Sequence, residues 1–198
     1  MCFRLMKRGK SRRVLIISAP SGAGKTTLVS HLLNSGLPLM FSVSATSRKP
    51  RGSEVNGREY YFITSAEFRQ KINKGDFIEW QEVYNDHYYG TLRSEIDRIA
   101  GEGKTALFDV DVQGGINLKK IFGKDALAIF IMPPSVDELR ERLLKRGTDS
   151  AEKIEMRIEK AASEILLADR FDRVIVNDGL EKACSEILEV VTEFIGTR

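Results

Sequence analysis

Apolar and polar positions alternate along this chain in two rhythms. Four short runs, Val14–Ser18, 106–110, 126–131 and Arg173–Val176, are β-branched or apolar at nearly every position. Runs of that length with no polar face read as strands buried on both sides, as in a parallel sheet. Between them the apolar residues space out to every third or fourth position, which predicts helices over 27–33, 114–122, 135–145, 152–167 and 181–194. The third opens after Pro133-Pro134 with Ser135 three residues before Glu138, a capping-box pattern. The fourth carries Ile154, Ile158, Ala161 and Ile165 at helical spacing, and the fifth starts behind Asp178 and Gly179. Strands alternating with helices predict an α/β fold with three layers, α/β/α, around a central parallel sheet.

One stretch, 44–91, breaks the alternation. It holds aromatic strand-like pieces at 59–63 and 77–84 around a short helix, 65–74, and Gly52, Asn56 and Gly57 punctuate its start. We read it as an inserted small β-rich subdomain. A second insertion is placed around 139–157, within a helical stretch 136–167 that is broken at Arg146-Gly147-Thr148. The chain then divides into one domain, 1–198, with core segments 14–43, 92–135 and 168–198 and a basic leader, 1–13.

The bulk numbers narrow the function classes. Thirty-one Lys and Arg against 28 Asp and Glu leave a net charge of +3, too mild for a nucleic-acid binder. The excess is concentrated in Arg4, Lys7, Arg8, Lys10, Arg12 and Arg13, a pattern of a solvated leader. No apolar run reaches the ~20 residues of a membrane span, and no signal-peptide core precedes Val14. The two cysteines, Cys2 and Cys184, lie at opposite ends, so neither a disulfide framework nor a metal-ligand spacing exists, and a reduced, cytoplasmic setting is expected.

The chemistry begins where the first strand ends. Ala19-Pro20-Ser21-Gly22-Ala23-Gly24-Lys25-Thr26-Thr27 links that strand to a helix, the context in which a P-loop pattern carries meaning. Glycines let backbone N–H groups turn inward around phosphate oxygens, and the helix N-terminus adds partial positive charge. Lys25 is placed to reach the β- and γ-phosphates, and the Thr26 hydroxyl to ligate Mg²⁺. Ala19 stands where the full pattern has its first glycine, so the loop is a variant one. Asp109, at the end of an apolar run, is either a carboxylate of the Mg²⁺ shell or an ordinary strand-end aspartate.

Further segments carry a family likeness. Ser44-Ala45-Thr46-Ser47-Arg48-Lys49-Pro50-Arg51, Glu54 to Tyr60, Phe77-Ile78-Glu79-Trp80, Tyr88-Tyr89-Gly90-Thr91, Asp109 to Gly114 and Val174 to Asp178 resemble, in order, the motifs of guanylate kinases. The resemblance runs from the first strand to the last helix. It implies a GMP-binding role for the insertion 44–91, with Arg48 and Arg51 gripping the acceptor phosphate beside the Tyr60 and Tyr89 hydroxyls. It implies that Glu79 and Asp111 accept from the N1–H and N2–H donors of guanine, with Ser44 and Thr91 as hydroxyl partners. Thr91 stands where many relatives have Ser. Asn177 matches a residue that contacts the adenine of ATP, although Asn-Asp-Gly by itself only marks a turn.

The resemblance also implies that Arg142, Arg146 and Arg157 close over the phosphates from a helical lid, 136–167; alone, they read as surface arginines. Such a site needs no general base, because a nucleoside monophosphate is already largely ionised at its attacking oxygen near its second pKa of ~6. His31 and His87 are accordingly read as a helix-surface and a loop residue. The expected reaction is Mg²⁺-dependent phosphoryl transfer from ATP to GMP, and to dGMP, by a monomer or small homo-oligomer. Two other readings are a kinase of a phosphorylated sugar, which would need no guanine carboxylates, and a non-catalytic phosphopeptide-binding relative, which would not need Lys25 and Thr26.

Overall fold

The computed structural model describes residues 13–84, 86–147 and 150–196, the side chains of Val83, Tyr84 and Arg146 excepted. The chain runs β1 (Val14–Ser18), α1 (Lys25–Leu33), β2 (Leu39–Phe41), β3 (Ala45–Thr46), β4 (Tyr61–Phe62), α2 (Ser65–Lys74), β5 (Phe77–Tyr84), β6 (His87–Leu92) and α3 (Arg93–Gly101). It continues through β7 (Thr105–Val110), α4 (Val112–Phe122), β8 (Ala126–Met132), α5 (Val136–Arg146), α6 (Ala151–Ile165), β9 (Arg173–Val176) and α7 (Leu180–Gly196).

The four apolar runs join a short fifth strand in a parallel sheet of order β2-β7-β1-β8-β9. β1 lies at its centre and is buried at every position. Alternate residues of that strand feed two cores. Leu15 and Ile17 pack with α1 and α7 residues such as Leu28, Leu32 and Ile187. Val14 and Ile16 pack with α3 and α4 residues such as Ile99 and Leu118. Both faces are covered, hence the absence of a polar face in the sequence. Because the sheet is parallel, the loops after β1, β7, β8 and β9 all emerge at one edge, where open α/β sheets bind ligands.

The second sheet has order β4-β3-β6-β5 and accounts for the break at 44–91. Its two faces differ in chemistry. Ala45, Tyr61, Tyr88 and Leu92 turn to one face and pack with Phe68 of α2 and with Phe77. The Phe68 ring stacks on Phe77 at 4.2 Å and on Tyr88 at 5.2 Å. Burying such a ring stabilises by roughly 1.5–3 kcal/mol. Register places Glu79 beside Thr91 and Gln81 beside Tyr89, on the opposite face. α2 is opened by a complete capping box, Thr64 with Glu67, and closed by Gly75.

Glu95 of α3 ties this sheet to the core. Only 2% exposed, it accepts from the Val43 amide (3.1 Å), the Tyr61 hydroxyl (2.9 Å) and Arg98 Nε (3.0 Å). Burial pushes this carboxyl up, but those hydrogen bonds hold it below the usual range.

Three short elements depart from the sequence reading. β2, β3 and α3 were not anticipated: two or three residues carry no measurable alternation, and α3 buries only Glu95, Ile96 and Ile99. β6 was likewise missed, and His87 opens it rather than lying in a loop. His31 is only partly exposed, and its Nε2 is buried without a hydrogen-bond partner. At Ser135 the side chain accepts from the Glu138 amide as expected. The basic leader through Arg12, with Cys2, lies outside the described residues; Arg13 donates to the Phe194 carbonyl at 2.6 Å.

Candidate active site

The loop between β1 and α1 is built to receive an anion. Gly24, at φ 95°, sits at the N-cap of α1, and no side chain caps that end of the helix. Its first-turn N–H groups therefore keep their partial positive charge for a ligand. A Cβ on Gly24 would lie 2.3 Å from Nδ2 of Asn177, so both backbone and space require glycine there. The cavity over this loop, about 520 Å³, is lined by Ala19, Ser21, Gly22, Lys25, Thr26 and Asp111, and by Arg142, Arg157, Lys160 and Glu164 of α5 and α6.

Strand register brings the charges together. β1 pairs with β7 so that Ile17 lies beside Asp109 and Ser18 beside Val110. Lys25 Nζ consequently reaches Asp109 Oδ1 at 2.6 Å and donates to the Val110 carbonyl at 2.7 Å. The two residues assigned separately from sequence, one to phosphate and one to the metal shell, form one ion pair. Two residues on, Asp111 caps α4 by accepting from the Gly114 amide at 2.7 Å.

Asp111 also lines a second cavity of about 320 Å³, with Ser44, Tyr60, Glu79, Gln81, Tyr89 and Gly90. The two cavities thus adjoin through one carboxylate. Glu79 accepts from the buried Thr91 hydroxyl at 2.8 Å, so Thr91 acts through Glu79 rather than lining the cavity. Burial pushes Glu79 above its ordinary range and the nearby Asp111 charge adds to the rise, against the hydrogen bonds from Thr91. A pocket that places two acceptors near each other suits a ligand edge made of donors.

Gly90 allows this wall to form. A Cβ there would lie 2.6 Å from the Glu79 carbonyl and 2.8 Å from Trp80 Cβ. Gly90→Ala should destabilise the protein by about 1–3 kcal/mol, the cost of overpacking, and weaken acceptor binding; urea unfolding and an acceptor titration would test it. Unchanged stability would count against the close approach.

The comparisons can now be set beside this geometry. The profile of the guanylate kinase family matches residues 11–194. The chain is 51% identical over 193 residues to a guanylate kinase of Bacteroides thetaiotaomicron, covering 98% of this chain and 95% of that one. It is 54% identical to the guanylate kinase of Porphyromonas gingivalis, covering 92% and 98%. The chain belongs to the guanylate kinase family. It is therefore an enzyme, a kinase. The crystal structure of a guanylate kinase from Anaplasma phagocytophilum superposes with a TM-score of 0.67 at 28% identity, over 96% of this chain and 89% of that one.

Within this chain α5 packs directly on the loop between β1 and α1. Leu139 and Leu143 belong to the cluster that joins α5 to α6, and they lie over Gly22. Arg142 Nη2 donates to the Asn177 carbonyl at 3.0 Å and its Nε to Glu138 at 3.0 Å, while Arg157 donates to the Ser21 hydroxyl at 2.8 Å. The side chain of Arg146 lies outside the described ones.

Two sequence assignments find their residues otherwise engaged. Asn177 is 6% exposed and does not line the phosphate cavity; its Nδ2 donates to the Ala23 carbonyl at 2.8 Å, clamping the loop. Arg48, 8% exposed, is paired with Glu54 and stacked on Tyr60, with Cζ 4.9 Å from the ring centre. Arg51 is exposed and its amide donates to Glu54 at 2.7 Å. Gln81, Lys160 and Glu164 line the cavities and were not singled out from sequence. For Gln81 the signal was available: it stands two residues after Glu79 in a strand, on the same face.

Proposed function

We propose that this protein transfers the γ-phosphoryl group of ATP to GMP, and to dGMP, giving ADP and the nucleoside diphosphate. The observation that carries this reading is the shared carboxylate: the phosphate cavity and the cavity holding Glu79 and Asp111 adjoin at Asp111. A donor bound on the loop and an acceptor bound against the two carboxylates would meet end to end. Guanine presents N1–H and N2–H donors to such a pair, whereas adenine would turn the lone pair of N1 toward a carboxylate. Mispairing of buried polar groups makes that distinction steep.

The chain's own residues then align and neutralise. The amides of α1 and Lys25 hold the triphosphate, Tyr60 and Tyr89 offer hydroxyls toward the acceptor phosphate, and Arg142 and Arg157 approach from the lid side. The alignment of two anions is most of the catalysis in such a transfer. Lid residues over the loop exclude water, which suppresses hydrolysis of ATP.

The residues fit Mg²⁺. Thr26 lines the phosphate cavity and is exposed, and Asp109 stands near the end of β7 with one oxygen held by Lys25. Among the described residues no cluster of three His, Cys, Asp or Glu forms a cage. Mg²⁺ is commonly held by one or two protein oxygens with water and substrate phosphate completing its shell, and Thr26 and Asp109 are the residues that would supply them. When bound, it supplies charge neutralisation at the transferring phosphoryl group.

A coupled assay with ATP and GMP, dGMP, AMP, UMP and ribose 5-phosphate tests the reading. Turnover with GMP and dGMP alone is the expected result; turnover with AMP in preference to GMP would overturn the base assignment. None of the helices among the described residues is long and apolar enough to cross a membrane.

A further inference from the structure

We propose that Glu54 is a positioning residue of the acceptor site, holding Arg48 by one edge of its guanidinium so that the other edge is presented to the acceptor phosphate. The inference rests on the reading of the Tyr60–Tyr89 end of the cavity as the seat of that phosphate.

A guanidinium has five N–H donors on two usable edges, end-on through both terminal nitrogens and side-on through Nε. Glu54 takes the end-on edge in a fork: Nη1 donates to Oε2 at 2.6 Å and Nη2 to Oε1 at 2.7 Å. The second proton of Nη1 is used by the Lys49 carbonyl at 3.0 Å. What remains is the side-on pair, Nε–H with the second Nη2 proton. Tyr60 and Tyr89, whose rings meet edge-on at 5.9 Å, wall the acceptor cavity, and the Arg48 guanidinium lies against Tyr60 behind that wall. The face of the group is held as well, over Tyr60 at 4.9 Å and near Phe62 at 5.6 Å. Edge and face together leave the guanidinium little freedom, and a side-on pair of donors matches two phosphate oxygens.

Glu54 is itself anchored. Its Oε2 accepts from the Arg51 amide at 2.7 Å, and its own amide donates to the Arg51 carbonyl at 3.1 Å. Those bonds, led by the Arg48 fork, hold its carboxyl down at about 2, so it stays ionised throughout the working range. A carboxylate built into its own turn is a fixture and not a phosphate mimic that steps aside. Glu54 is six residues from Arg48 and, like Arg48, does not line the cavity; Arg48 borders it through Tyr60, and Glu54 stands one step further back, behind Arg48.

The test is a double-mutant cycle read in steady-state kinetics. Glu54→Ala and Glu54→Gln should raise the GMP KM by about 10- to 100-fold, the loss of a charge-assisted fork, and leave the ATP KM within about twofold. In an Arg48→Lys background the same Glu54 changes should add nothing, because the group they position is gone. Unfolding curves identify any variant that fails to fold, in which case the milder Glu54→Gln carries the test. A fall in GMP KM would make Glu54 a competitor of the phosphate and overturn the proposal. So would an equal effect in both backgrounds, the mark of a merely structural role, or no effect at all. Absence of GMP turnover in the unaltered protein would overturn the acceptor reading and this inference with it.

Discussion

Replacing Lys25 with Met should lower turnover by about 10³-fold or more, the scale of removing a preorganised charge from a developing anion, while GMP binding stays measurable. Lys25 lines the cavity over the loop, and its Nζ is fixed by Asp109 at 2.6 Å and the Val110 carbonyl at 2.7 Å. Met keeps the length and removes the charge. It also leaves Asp109 without its partner beside a polyanion, so two losses coincide. Of the acceptor carboxylates, Glu79 lies on β5 and Asp111 caps α4 by accepting from the Gly114 amide, so neither is held by this pair, which is why acceptor affinity should survive. Stopped-time assays with ADP quantified, beside calorimetric titration of GMP, would separate the two effects. Near-normal turnover in Lys25→Met would remove Lys25 from the transfer.

Glu79→Gln should lower kcat/KM for GMP by about 10²-fold or more and shrink the preference for GMP over AMP. Gln keeps one acceptor but turns an NH₂ toward the guanine donors, and Thr91 loses its charged partner. Retention of the full preference would exclude Glu79 from base recognition. Acid should act in the same direction. Burial, with Asp111 close by, raises the Glu79 pKa above its ordinary value. Acceptor binding needs the ionised form, so GMP KM should be lowest above that raised pKa and climb as pH falls through it. The phosphate of GMP titrates near ~6 and contributes an acid limb of its own. Comparison of the two pH profiles isolates the Glu79 limb, which should vanish in Glu79→Gln.

Local patterns in the sequence were enough for several features. Three of the four apolar runs became largely buried strands at nearly the expected bounds, because a strand covered on both faces needs an unbroken apolar run, whereas β9 lies at the edge of the sheet with Val174 and Val176 exposed. The helix over 65–74 ended where Gly75 follows it, at φ 72°. The bulkier misses were the elements of the insertion. β3 pairs with β6 across more than 40 residues, as in the bond from the Ser47 amide to the Tyr88 carbonyl, and periodicity does not see such a pairing; β6 is also the hairpin partner of β5. Which face of β5 meets ligand was latent in its alternation, yet required α2 to cover the other face before it meant anything.

What the sequence determined by itself, then, is the glycine-rich loop with which the first strand ends, the alternation of strands and helices and the supply of polar residues around them. Those are contiguous features, set by backbone freedom at Gly24, helix polarity and apolar spacing. Only the tertiary structure decided how those residues are used. It paired Lys25 with Asp109 across 84 positions of chain, through the β1–β7 register. It turned Asn177 inward to hold the Ala23 carbonyl, 154 residues away, and placed Arg48 under Tyr60 in the grip of Glu54. A charged or amide group takes the partner that folding brings within about 3 Å, and that distance is a property of the assembled sheets rather than of any one segment.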